Sequence, residues 1–358
     1  MNEIVEEDIK KIYKNIKNKR DKFNNSNIFI TGCSGFLGYY FLQFFDKYKK
    51  TLNINSIIAV DNFQVGKPYW IDDILAKENI DFQEFDIIKN DISDININKE
   101  NSFVIHMASI ASPTFYRKYP IETIEANVWG LRRLLDEYKN HSLEGFLFFS
   151  TSEIYGDPTA ANIPTPETYR GNVSTIGPRA CYDESKRLGE TLCYEYYNKF
   201  NLPIRLVRPF NNYGPGMKLE DMRVPADFAK AVVNNNDIII HSDGKPTRTY
   251  CYISDAITGY LKVLLHDDFD VFNIGIEKPE ISVTKLAEIY SEAGREIFGY
   301  DKCVKYKSSN EKNYLTDNPN RRCPNIEKAN EKLNYLPDVY VEEGIRRFLS
   351  HIKFEGIH

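Results

Sequence analysis

The sequence contains no apolar run approaching the roughly 18 residues that a membrane span requires. Its N-terminus, MNEIVEEDIKKIYKNIKNKR, is charged throughout and has no apolar signal-peptide core. A cytoplasmic protein with no membrane partner is therefore expected. Cysteine is sparse: six residues, at 33, 181, 193, 251, 303 and 323, form no Cys-x-x-Cys and no Cys/His ligand spacing. Reduced thiols are expected in place of a disulfide framework, and no metal site. An excess of positive charge is also missing. With 46 Lys and Arg against 51 Asp and Glu the net charge is −5, which excludes nucleic-acid binding by bulk charge. Any anion site has to be assembled locally.

What is present is a chain of 358 residues, 42% hydrophobic and 13% aromatic, enough to bury a sizeable core. From Asn27 short apolar runs alternate with helical stretches: NIFIT, a helix over 36–49, SIIAV (56–60), FVIHMA (103–108), a helix over 121–139, FLFFS (146–150), a helix over 185–199 and IRLVRP (204–209). Such alternation predicts an α/β fold, a Rossmann-type doubly wound parallel sheet. After about residue 210 the rhythm breaks into loops and shorter helices. A smaller C-terminal α/β substrate-binding domain is expected there, laid over the carboxyl edge of the sheet. The domain plan is a helical extension over 1–25, a cofactor domain over 26–210 and a mainly substrate-binding domain over 211–358, some of whose segments return to the sheet. In the extension Ile4, Ile9, Ile12 and Ile16 fall at helical spacing, which predicts an amphipathic surface helix or a dimer decoration.

Thr31-Gly32-Cys33-Ser34-Gly35-Phe36-Leu37-Gly38 follows an apolar strand and opens a helix, the context in which a glycine fingerprint binds a dinucleotide. Gly32 makes the tight turn, Gly35 admits a pyrophosphate to the positive end of the helix, and Gly38 lets the helix pack on the strand. Phe36 and Leu37, between the last two glycines, belong to the same cofactor-binding set. The second strand ends in Asp61-Asn62, where an acid accepts hydrogen bonds from the adenosine ribose. Asp61 repels a 2′-phosphate and no Arg follows it, so NAD is expected over NADP. Asp86-Ile87, at the end of the next strand pattern, is placed to reach the adenine edge.

Three segments lie where strands end: His106-Met107-Ala108-Ser109, Thr151-Ser152-Glu153 and Tyr182-Asp183-Glu184-Ser185-Lys186. Residues four apart share a helix face, so Tyr182 and Lys186 point at one substrate. A nearby ammonium and a positively charged nicotinamide ring both favour tyrosinate, which makes Tyr182 the expected base and Lys186 its partner at the cofactor. Thr151 shares a hydrogen bond with the same substrate hydroxyl.

These segments, with HMASIASPTFYRKYPIETIEANVWG, STSEIYGDP and GPRACYDESKRLGET, resemble the extended short-chain dehydrogenase/reductase family in its nucleotide-sugar branch. Within that branch they are most similar to the UDP-glucuronate decarboxylases, from about Asn27 to Phe348. The resemblance implies oxidation of a sugar at C4, loss of CO2 from the resulting β-keto acid, and reduction back to a UDP-xylose-like pentose. Related 4,6-dehydratases carry an Asp-Glu pair where this chain has Ser152-Glu153, and only the dehydratase needs an acid for the departing 6-hydroxyl.

A nucleotide sugar carrying a carboxylate needs converging cations, and Arg223, Arg248 and Arg321-Arg322 are the candidates. By resemblance Arg248 clamps the diphosphate, Asn211 holds the sugar or phosphate, and Arg322, in Arg322-Cys323-Pro324, lies near the leaving carboxylate. Tyr116 and Lys118 resemble substrate-loop residues. The chain departs from the pattern at Gly216, where the family usually carries Arg. The resemblance also implies a homodimer formed through TIEANVWGLRRLLDEY and the helix after Tyr182. The alternatives are a nucleotide-sugar 4,6-dehydratase or 4-epimerase and, in another class, a non-catalytic NAD-binding scaffold.

Overall fold

A computed structural model describes residues 2–308 and 316–357. Its centre is a seven-stranded sheet built from β1 (Asn27–Thr31), β2 (Ser56–Asp61), β3 (Asp81–Glu84), β4 (Ser102–His106), β5 (Leu143–Phe149), β6 (Ile204–Pro209) and the strand Val271–Ile274. From one edge the order is Val271–Ile274, β6, β5, β4, β1, β2, β3, and every pairing is parallel. All residues of β1 and β4 are buried, as strands covered on both faces must be, which is why they read as continuous apolar runs. The chain leaves β1 toward β2 on one side and reaches β4 on the other. A crevice opens at that reversal, beyond the carboxyl ends of the strands.

The strand pattern at 103–108 runs two residues too far. Pairing ends at Thr31 opposite His106, and the chain turns away where Gly32 requires close backbone approach. The edge strand Val271–Ile274 comes from the C-terminal half and pairs with β6. The same half forms a three-stranded sheet in which Thr247–Arg248 lies between Ile281–Ser282 and Arg321–Arg322. The parallel register sets Arg322 opposite Arg248. Two arginines 74 positions apart in the chain are thereby placed side by side at the mouth of the crevice.

The N-terminal helix, Glu3–Asn15, is not a surface decoration. Its apolar face, Val5, Ile9 and Ile12, is fully buried in the main core, and the helix packs on the helices Phe36–Tyr48 and Ile253–Leu264. Asp8, 1% exposed, accepts hydrogen bonds from the Tyr40 hydroxyl (2.6 Å), the Tyr252 hydroxyl (2.8 Å) and Arg347 (2.9 Å). One carboxylate thus ties the extension to the cofactor-side helix, the C-terminal half and the last helix. Replacing Asp8 by Ala leaves two buried hydroxyls without their acceptor and takes from Arg347 its buried partner, Glu7 and Glu343 remaining beside it, and is expected to cost on the order of 3 kcal/mol in urea unfolding.

A second tie joins the two ends of the chain. Asn2 donates to His351 Nδ1 at 3.1 Å, which leaves Nε2 to carry the ring proton and bond the Tyr69 hydroxyl at 3.0 Å. Burial lowers the His351 pKa to about 4, so the folded chain keeps the ring neutral while the unfolded chain takes a proton below about pH 6.5. Stability from this ring is complete above pH 6.5 and is lost as the pH falls toward 4. The difference in unfolding free energy between the parent and His351→Gln is expected to shrink by roughly 2 kcal/mol between pH 7 and pH 5. A pH-independent difference would remove His351 as the titrating group.

Candidate active site

The crevice holds a cavity of about 400 Å³ lined by residues from both halves of the chain. At its floor two of the three glycines of the first turn, Gly32 and Gly38, have no room for a side chain. A Cβ on Gly32, whose φ is +70°, lies 2.5 Å from the Ala108 nitrogen, and one on Gly38 lies 1.9 Å from the Cys33 carbonyl oxygen. Gly35 is the N-cap of the 13-residue helix Phe36–Tyr48, whose free N–H groups and dipole face the cavity with no side chain between. Gly32, Gly35, Phe36, Leu37 and Gly38 all line the cavity. This is the cradle a dinucleotide diphosphate requires, so the residues fit NAD.

The other four residues expected at the cofactor stand apart from this lining. Asp61 accepts hydrogen bonds from the Ser34 N–H (2.9 Å) and the Phe63 N–H (2.8 Å), which fixes its carboxylate beside the glycine turn. Asn62 is exposed and donates to Asp86 at 3.1 Å. Although burial opposes its charge, the Ile88 N–H and the Asn62 amide hold the Asp86 carboxyl below its ordinary pKa. Ile87 is a core residue, 5% exposed, packed where a Cβ on Gly130 would come within 2.5 Å of it. Its side chain is therefore held in the core and does not face the cavity.

Tyr182 and Lys186 sit in the first turns of the helix Ala180–Phe200 and both line the cavity, with Thr151 and Ser152 from the end of β5. Lys186 is 3% exposed and donates to the Phe149 carbonyl at 2.7 Å. Burial lowers its pKa to about 7. The Tyr182 hydroxyl moves the opposite way: burial raises its pKa and the hydrogen bond with Thr151 only partly counters it. Tyrosinate is the expectation for Lys186 and a positively charged nicotinamide ring acting together; without the ring, burial prevails and is not offset by Lys186. Its nitrogen lies 5.9 Å from the Tyr182 ring centre, and desolvation outweighs attraction at that range. Tyr116, 1% exposed, stacks parallel on Tyr182 with ring centres 5.1 Å apart, and its hydroxyl has no hydrogen-bond partner among the described residues. It lines the cavity, as does Arg117; Lys118 is exposed and sits over the Tyr119 ring instead, outside the lining.

Of the expected cations Arg223, Arg248 and Arg322 converge on the cavity, each already held, whereas Arg321 is exposed and pairs with Glu280 outside the lining. Arg248 donates to the carbonyls of Thr247 (2.7 Å), Asn320 (3.1 Å) and Pro319 (2.5 Å), and burial with the neighbouring Arg322 lowers its pKa to about 10. Arg223 pairs with Asp221. Asn211 donates to the Thr249 carbonyl at 2.9 Å. Gly216 has φ +89°, and a Cβ there lies 2.6 Å from the Tyr39 ring. An arginine here would be strained by the positive φ and would have to displace the Tyr39 ring.

Arg322 makes two hydrogen bonds to Glu153, one of them at 2.6 Å. Arg179, the N-cap residue of the Tyr182 helix, bonds the same carboxylate. Burial opposes the charge on Glu153, but the two guanidiniums prevail and hold it well below the ordinary carboxylate range. Arg179 was absent from the sequence-based site. The signal was its position three residues before Tyr182, one helical turn away, but no local pattern distinguishes such an arginine from a surface one.

The glycine turn, the strand order and the Tyr182–Lys186 helix agree with what comparison shows. Residues 28–275 match the NAD dependent epimerase/dehydratase family. UDP-glucuronic acid decarboxylase 1 of Arabidopsis thaliana is 34% identical over 330 residues, covering 91% of this chain and 69% of that protein. UDP-glucuronic acid decarboxylase 5 of the same plant is 33% identical, covering 96% of this chain and 94% of that protein. Among solved structures, a UDP-glucose 4-epimerase of Thermotoga maritima superposes with a TM-score of 0.77 at 27% identity, over 92% of this chain and 99% of that one. An epimerase of Methanothermobacter thermautotrophicus, at 22% identity, shares the fold with a TM-score of 0.80 over 96% of this chain and 97% of that one. The chain belongs to the NAD-dependent epimerase/dehydratase family, and NAD is its cofactor.

Proposed function

We propose that the chain decarboxylates a nucleotide-linked hexuronate, UDP-glucuronate by likeness to its relatives, to a UDP-pentose. One observation carries this reading: the Tyr182–Lys186 pair and the Arg322–Glu153–Arg179 cluster line one cavity. Bound NAD, held by Gly32, Gly35, Phe36, Leu37 and Gly38, supplies a reversible hydride acceptor. Tyr182, beside the positively charged nicotinamide ring, would ionise closer to neutrality and act as a base. Tyr182, with Thr151, takes the proton of the sugar 4-hydroxyl as C4 becomes a ketone. A hexuronate ketone at C4 is a β-keto acid, whose carbonyl accepts the electron pair when CO2 leaves. Tyr182 then hydrogen-bonds the enolate oxygen; C5 takes a proton from solvent in place of the lost carboxylate, and Tyr182 returns the proton it took from O4 when C4 is reduced. Arg322 and Arg248 offer fixed cationic donors to carboxylate and diphosphate.

A 4,6-dehydratase would need an acid over the departing hydroxyl, whereas here Ser152 occupies the expected acid position and Glu153 is held ionised. Incubation with UDP-glucuronate and NAD is expected to release CO2 and yield a UDP-pentose by mass spectrometry. A six-carbon product would overturn the reading in favour of the dehydratase or epimerase alternative.

The same reading includes a homodimer and a cytoplasmic location. Ile121, Trp129 and Leu188, 62%, 55% and 48% exposed, lie on helices packed together, an apolar surface suited to a second copy, and light scattering tests it. All six cysteines are free, as a reducing compartment requires. Among the described residues no helix is long and apolar enough to cross a membrane.

A further inference from the structure

Asp183, next to Tyr182, is 5% exposed and packed into the cluster just described. Its Oδ2 lies 3.6 Å from Arg179 Nε, too far for a hydrogen bond, and its buried Oδ1 has no hydrogen-bond partner among the described residues. A carboxylate with a bare buried oxygen is costly, and the neutral acid is the form such a pocket tolerates. The groups around it are Glu153 from the turn after β5, Arg179 at the start of its own helix and Arg322 from the C-terminal half. Tyr116, from the helix Pro113–Lys118, and Cys181 and Tyr182, from its own helix, complete the surroundings. Nothing in the reaction as derived above uses Asp183, and it does not line the cavity.

The charge count of the cluster turns on this one proton. Arg179 and Arg322 carry two positive charges and Glu153 one negative. With Asp183 neutral the cluster faces the cavity with one net positive charge; with Asp183 ionised it is neutral. We infer that Asp183 is a positioning residue that sets substrate specificity by keeping its proton, leaving the Arg179–Glu153–Arg322 cluster one positive charge for a sugar that bears a carboxylate. The inference rests on the decarboxylase reading and names what selects a uronate over an uncharged sugar within it. By linkage, a bound carboxylate strengthens the hold of Asp183 on its proton, and loss of the proton weakens the carboxylate. Burial and the adjacent Glu153 raise the Asp183 pKa to about 7, against the pull of Arg179, so the switch falls in an accessible range.

The test is equilibrium binding of UDP-glucuronate and UDP-xylose to the NAD-loaded Tyr182→Phe protein, in which turnover is slowed enough for binding to be read before conversion, at pH 6 and pH 8.5. UDP-xylose shares the nucleotide and diphosphate but lacks the carboxylate, so the ratio of the two dissociation constants cancels titration elsewhere. The preference for UDP-glucuronate is expected to fall about tenfold from pH 6 to pH 8.5, one pKa unit of coupling. In Asp183→Asn, which mimics the protonated acid, the preference is expected to stay constant. A pH-independent ratio in the Asp183 protein overturns the inference, as does the same fall persisting in Asp183→Asn. If Asp183→Asn does not fold, the ratio in the Asp183 protein decides alone. Failure of the decarboxylase reading looks different: no CO2 from the Tyr182 enzyme, whatever the binding ratio.

Discussion

Replacing Tyr182 by Phe is expected to lower kcat by about 10²–10⁴-fold while leaving KM for UDP-glucuronate within a few-fold. The size follows from what the hydroxyl alone supplies. The ring stays stacked on Tyr116 at 5.1 Å, so the cavity wall keeps its shape, and only the group that exchanges a proton with O4 is removed. Thr151 is left with no partner able to carry charge. Single-turnover absorbance at the reduced-nicotinamide band checks the step, because oxidation at C4 should slow by the same factor as CO2 release. If kcat fell less than tenfold, proton transfer at O4 would have to be assigned to another group, and the scaffold alternative would regain ground.

Replacing Arg322 by Ala is expected to lower kcat/KM for UDP-glucuronate on the order of 100-fold or more, with a far smaller effect on binding of UDP-xylose. Glu153 keeps Arg179 as its partner, so the buried carboxylate stays compensated and the protein folds. What is lost is the second guanidinium and its paired geometry. Arg322→Lys is expected to recover little, since an ammonium replaces a planar fork with a point charge. An equal loss for both nucleotide sugars would show that Arg322 serves the diphosphate and not the carboxylate. The two substitutions separate cleanly, because Tyr182 exchanges a proton at O4 whereas Arg322 offers fixed charge to the carboxylate on the neighbouring C5.

Much of the fold was legible because parallel strands buried on both faces are written as local apolar runs, and the helices between them as 3.6-residue periodicity. The edge strand Val271–Ile274 was not. Four residues bounded by loops carry no period of their own, and their strand character comes from β6 alongside. The N-terminal helix was recognised as a helix from Ile4, Ile9, Ile12 and Ile16. Its burial was missed because an apolar stripe does not say what covers it, and Asp8 among charged neighbours looks like any surface acid. The resemblance pointed to Tyr116 and Lys118 and not to Arg117. Only the direction in which the short helix Pro113–Lys118 faces the cavity distinguishes them.

The sequence by itself determined the parts whose chemistry is local. These are the glycine turn that opens a helix, and a Tyr and a Lys one helical turn apart, both set by spacings of a few residues. Tertiary structure alone decided the electrostatics. Glu153 meets Arg322 across 169 positions of chain, Arg248 lies beside Arg322 through strand register, and burial moves the pKa values of Tyr182 and Lys186 toward their uncharged forms. The physical reason is that backbone geometry follows from short-range sterics and periodicity. A side chain's charge state instead depends on which distant groups share its low-dielectric surroundings, and only packing brings those together. The scarcity of positive charge in the whole chain thus constrains little: a few arginines gathered by the fold supply the cationic wall that a net charge of −5 seemed to withhold.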